Sequence, residues 1–312
     1  MFNLTSFTQA DMYRCAIAVR NMDADSSSME ETANRIVRYL YENLIDAKTG
    51  RPSCTLVRFF KTHPYGELTA DLQEAAQAIL KGRSVLRATK CLTLLATAGD
   101  EPYWNVRQES KGHQAIPLMD EDFVYRAPMI LQLIQQFGLE VSSVIDPSPT
   151  LIEDTARMNF NVFYVPKALD SPYIPAQKEF VVPYKVQSVL GFGGMLPSGN
   201  LFAIILFSKT EIPPETASLF KWVSAYIRIA AAKFDRGQFL PPRVSPGLPP
   251  QPFPSSFPSL LSLSHHSRSP FSQQSRMLDR LFLHNSKLIL PAGGLESYRS
   301  PVLPLARSGL LY

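Results

Sequence analysis

Residues 187–209 constrain the fold more than any other stretch. Residues 187–195 and 201–209 are two apolar runs, separated only by Leu196-Pro197-Ser198-Gly199-Asn200. Two strand-length runs joined by a short Pro/Gly/Asn turn fold back on each other as a β-hairpin. Other strands are read at residues 53–60 (SCTLVRFF), 90–97 (KCLTLLAT) and 161–166 (NVFYVP), where β-branched and aromatic residues gather. His63-Pro64-Tyr65-Gly66 is expected to turn the chain after the first of these.

Helices are expected between the strands. Residues 8–19 place Met12, Cys15, Ala16 and Val19 on one face, and a polar linker follows at 23–28. Ser28 is a candidate N-cap, with Glu30 and Glu31 in the first turn of a helix carrying Ile36, Val37, Leu40, Tyr41 and Leu44. Residues 68–80 read as a helix, and residues 120–137 as another, stopped by Gly138. Residues 175–182 suit one or two helical turns. Pro213 and Pro214 open the last long helix. Its apolar residues cover a broad arc, which calls for a second packing partner. The expected class is α+β. The chain divides into an N-terminal helix and linker (1–27), a main domain (28–236) and a tail (237–312).

Composition changes abruptly after Arg236. Residues 237–312 hold 12 of the 26 prolines and 14 serines, so a disordered, polyproline-like coil is expected there. That segment has seven Lys/Arg against two Asp/Glu, which accounts for the net charge of +4 and leaves the rest near neutral. The arginines are scattered and no groove-reading module accompanies them, so nucleic acid is not an expected partner. Within the tail, RVSPGLP at 243–249 has the basic-x-x-Pro-x-x-Pro form that Src-homology-3 domains take.

Cys15, Cys54 and Cys91 make neither a CxxC pair nor a metal-ligand spacing, which excludes a zinc site. No run reaches the length of a membrane span and the first residues lack a secretory signal, so the cytoplasm is the expected location.

Several segments carry a resemblance. SVLGFGGMLPSGNLFAIILFSKTEIPPETASLFKWVSAYIRIAA looks like the closing half of a GAF domain. CTLVRFFKTHPYGEL, KCLTLLATAGDEPYWN and NVFYVPKALDSPYIPAQKEFVVPY resemble, in order, the N-terminal sensory domain of bacterial PAS and histidine-kinase signalling proteins. The resemblance spans about residues 30–234 and implies a GAF-like fold, an α/β sandwich with a twisted antiparallel sheet flanked by helices. It also implies a sensory input module of the two-component type, lacking its catalytic output domain and served by PAS or histidine-kinase modules. No kinase motif is present, so the resemblance implies a non-enzyme. Because the resemblance stops where the tail begins, a frameshifted or truncated reading frame is a further expectation. Homodimerisation is expected through Leu219, Val223, Ile227, Ala230 and Phe234 of the last helix.

The ligand of such a domain cannot be named from these residues. A bilin would need a cysteine in the crossing region, and none of the three lies there. Tyr103, Trp104, Phe123, Tyr164, Tyr173 and Tyr184 suit a pocket between the sheet and the central helices, and suit an ordinary core equally well. The glycines of Gly191-Phe192-Gly193-Gly194 lie within a strand rather than before a helix. They therefore read as close backbone approach, a bulge, or space for a ligand, and not as a phosphate loop. The candidate ligand-binding set is Trp104, His113, Tyr164, Tyr173, Phe192 and Gly193. Two alternative functions stand beside the sensory reading: a protein-interaction scaffold working through the Pro-rich tail, and an uncharacterised small-molecule enzyme.

Overall fold

The computed structural model describes residues 1–109, 113–147 and 161–235. The expectations for 237–312, including the coil, the proline-rich motif and the reading-frame question, lie outside the described residues.

The hairpin forms as its sequence requires. β7 (Ser188–Met195) pairs antiparallel with β8 (Leu201–Ser208), and Gly199 takes the left-handed turn conformation at φ +78°. β3 (Cys54–Pro64) lies on the other side of β8, followed outward by β4 (Lys90–Gly99) and the short β5 (Ala115–Pro117). β6 (Val162–Val165) closes the opposite edge beside β7. The sheet order is β5-β4-β3-β8-β7-β6, antiparallel throughout. A separate parallel pair joins β1 (Phe2–Asn3) to β2 (Leu44–Ile45). β3 runs further than its sequence suggests: His63, expected in a turn, is a strand residue paired with Cys91.

Helices cover both faces, so this is a mixed α+β sandwich. On one face lie α1 (Gln9–Arg20) and α2 (Met29–Asn43). Thr8 and Asp11 form a capping box at the start of α1, and the Ser28 hydroxyl accepts from the Glu31 amide at the start of α2. α3 (Ala70–Leu80) packs toward β5 at the sheet edge. The other face carries α4 (Glu121–Tyr125), α5 (Pro128–Gln136), α6 (Val141–Ile145) and a π-helical turn at Gln177–Val181. The single helix expected over 120–137 is thus two. Pro128 has no amide to continue α4 and restrains Ala127 to φ −111°, ψ 81°, so the chain breaks and restarts.

The last helix, α7 (Pro214–Ala232), lies on the α1/α2 face. Its broad apolar arc does have a second partner, which is α1 of the same chain, and just ahead of α1 the rings of Phe7 and Phe220 stack at 5.1 Å. Met12, Cys15, Ala16 and Val19 of α1 share one core cluster with α7. Of the residues expected to form a dimer seam, Val223, Ile227 and Ala230 are buried within one chain, and Leu219 and Phe234 lean on that core. Among the described residues, no helix is long and apolar enough to cross a membrane.

Candidate functional site

The candidate site starts from the alternation along β3. Val57, Phe59 and Lys61 serve the α1/α2/α7 face, while Leu56, Arg58 and Phe60 serve the opposite one. On that opposite face the sheet and α5 do not close on each other. They leave a cavity of about 360 Å³. Its floor is apolar, built from Leu56, Leu92, Ala203 and Ile205 of the three central strands, and Leu133 and Ile134 of α5 form its roof.

One wall is aromatic. Pro102–Trp104 form a 3-10 turn held by Asn105, whose side chain accepts from the Gly99 amide at 3.2 Å and donates to the Gly99 and Glu101 carbonyls. A Cβ at Gly99 would lie 2.8 Å from the Trp104 ring, so only glycine lets the indole settle there. Trp104 meets Tyr184 at 4.6 Å and Phe180 at 5.7 Å between centroids, and Phe180 meets Phe207 edge-on at 5.0 Å. Burial is the main cause that pushes the Tyr184 phenol well above its ordinary range, reinforced by its hydrogen bond with Tyr103. Both tyrosines line the cavity.

Among the described residues the charged groups at the cavity are Arg58, Arg126 and Glu179, and the titratable His113 lines it too. Arg58 is 8% exposed, and burial lowers its pKa to about 10, which leaves it cationic at neutral pH. His113 follows residues 110–112 in a left-handed backbone conformation, φ +55°. Crowding by protein, and secondarily the nearby Arg58 charge, bring the His113 pKa down to about 4. The residue is nevertheless exposed, and it lines the cavity. That access weakens the desolvation and leaves the direction intact: a neutral imidazole at pH 7.

The candidate set divides on this geometry. Trp104 and His113 line the cavity, as do Tyr103 and Tyr184 from the wider aromatic group. Phe192 does not. It is fully buried on the opposite face, against Phe220 at 5.1 Å, because even-numbered β7 positions point toward α7. Gly193 offers no ligand space either. A Cβ there would sit 2.1 Å from the Phe202 carbonyl oxygen, so the glycine serves close strand approach. Tyr164 directs its hydroxyl to the Ile212 carbonyl beside α7, and Tyr173 packs on the core without lining the cavity. Sequence reasoning missed Arg58 and the Phe180 wall. Arg58 did leave a signal, being a lone cation inside the apolar run SCTLVRFF. Phe180 left none, since it reaches the wall through a π-helical turn that no periodicity announces. Among the described residues no group of three or more His, Cys, Asp or Glu is placed to hold a metal ion.

No family model matches this chain, and no curated protein matches it. Among solved structures it is similar to free methionine-R-sulfoxide reductase from Neisseria meningitidis in complex with its substrate. The identity is 11% and the TM-score 0.41, over 75% of this chain and 94% of that one. A likeness that low assigns no activity to this chain. It does run against the expected role: that protein is an enzyme holding its substrate, and no signalling family is matched. The sensory, two-component and histidine-kinase-associated reading is corrected accordingly, and so is the expectation of a non-enzyme.

Proposed function

We propose that this chain takes up a small organic molecule in the cavity between its sheet and α5, as an enzyme acting on that molecule would. The observation that carries this is the cavity itself: about 360 Å³, apolar over most of its wall, with a few polar groups converging on it. Small-molecule sites have this character, and well-packed cores leave no such void. A GAF-like arrangement is our reading of the fold. It is supported by the antiparallel sheet, the helices on both faces and the opening between the sheet and the central helices.

Catalysis has its own support in His113 and Arg58. A neutral imidazole on the wall can hydrogen-bond a bound substrate and orient it, and the buried guanidinium of Arg58 stabilises negative charge that develops on that substrate. Native mass spectrometry of the full chain, followed by incubation with metabolite pools and mass-spectrometric tracking of depletion, tests both parts. A retained or consumed compound is expected, with consumption abolished in His113→Asn. Both signals should disappear when Leu133→Trp fills the cavity, with Ala127→Trp at the rim as a second filling variant. A chain that neither retains nor consumes any compound would end this reading.

A further inference from the structure

Arg58 occupies an unusual place. It lies in β3, which is flanked on both sides by other strands, opposite Thr97 of β4 and Ile205 of β8. Its neighbours on the cavity face, Leu56 and Phe60, are apolar. Its guanidinium lines the cavity, and a planar fork of donors can serve an oxyanion beside the contacts it makes within the chain, in a low-dielectric space where charge-assisted hydrogen bonds are strong. Among the described residues, Arg58 and Arg126 against Glu179 give the lining an excess of positive charge. That excess complements an anion.

The remainder of the space selects the rest of the ligand. Trp104, Phe180 and Tyr184 make a continuous aromatic wall, and the floor and roof are aliphatic. Flat apolar bodies pack well on such surfaces, and the volume suits one or two fused rings.

From this juxtaposition we infer that the cavity takes a monocarboxylic acid with a flat apolar body, its carboxylate on Arg58 and its body against the Trp104 wall. The inference rests on the cavity being the working site, and it names the class of compound that site accepts. It also places the carboxylate within reach of His113, so the reacting part of a substrate is the part nearest its acid group.

Calorimetric titration of the full chain with a matched pair, 2-naphthoate and 2-naphthamide, tests it, since the two differ in charge and hardly in shape. In the wild-type chain the acid should bind more tightly by about tenfold or more. In Arg58→Met that preference should collapse to near parity, with the amide little affected. Arg58→Lys should keep part of the preference, because the charge remains and the fork is lost. Should Arg58→Met fail to fold by circular dichroism, the wild-type ratio and the lysine variant still decide the matter. Equal binding of acid and amide by the wild-type chain would overturn the inference while leaving the cavity as the working site. Binding of neither overturns it too: a retained or consumed compound in the earlier experiment would then confine the failure to the ligand class, and its absence would extend it to the cavity.

Discussion

Lys61 and His63 show how far a residue's environment can depart from its type. Lys61 is 2% exposed, with its Nζ 3.2 Å from His63 Nε2 and 3.7 Å from Asp235 Oδ1. The ammonium donates to the imidazole nitrogen, which requires a neutral His63. Burial, then the adjacent Lys61 charge, hold His63 well below its ordinary pKa. Burial likewise lowers Lys61 to about 8, against the favourable pull of Asp235. The direction for His63 has a consequence for stability. A histidine whose folded pKa is depressed stabilises the fold above its unfolded pKa of about 6.5, and that stability is lost as pH falls below it, because the unfolded chain takes the proton first. His113 acts in the same direction. The lowered carboxylates, such as Asp46 and Asp71, begin to matter only at more acidic pH. The urea midpoint is therefore expected to fall between pH 7 and pH 5, and to fall less in His63→Gln. A midpoint unchanged over that range would show that neither histidine is held neutral by the fold. Neither effect is visible in RFFKTHP, where Lys61 and His63 look like residues approaching a turn.

The helices teach a similar lesson at the next scale. Local signals were read well where they are local: Thr8, Ser28 and Pro213 stand at the starts of α1, α2 and α7, where their side chains or ring suit a helix N-terminus. The choice of partner for α7 was not local. Its arc could be covered by a second chain or by another helix of the same chain, and only the return of α1 across it distinguishes the two. Val223→Ala and Ile227→Ala should each cost stability, by about 1–2 kcal/mol for the smaller deletion and about 2–4 for the larger. The cost should be the same at low and high protein concentration. Trp222 is half exposed, and Trp222→Ser should stay within roughly 0.5 kcal/mol of the wild-type chain. Urea denaturation at two concentrations checks all three, and a concentration-dependent loss in the first two would support the dimer seam.

Across the whole molecule, two apolar cores lie on either side of one sheet, and they differ in completeness. The α1/α2/α7 side is filled, with Phe59, Phe192, Phe202 and Phe220 fully buried, whereas the α4–α6 side keeps its cavity. Cys15, Cys54 and Cys91 are all buried, and burial pushes each thiol up to about 12. A thiol-reactive disulfide reagent should therefore label none of them in the native chain at pH 8 and all three once urea unfolds it. Prompt labelling of any one would locate a region that opens without global unfolding. The sequence by itself determined the hairpin, most helix starts and the mixture of strands with helices. Each of those follows from spacing and turn chemistry within about ten residues. Tertiary structure alone decided which face each strand residue serves, which chain covers α7, and that Arg58, Trp104, His113 and Tyr184 surround one cavity. Those residues come from segments as much as 126 positions apart, and no local pattern records which distant side chains meet. The hairpin strand β8 belongs to both accounts: its existence was written in residues 201–208, and its place between β3 and β7, flooring the cavity with Ala203 and Ile205, was settled only by the assembled sheet.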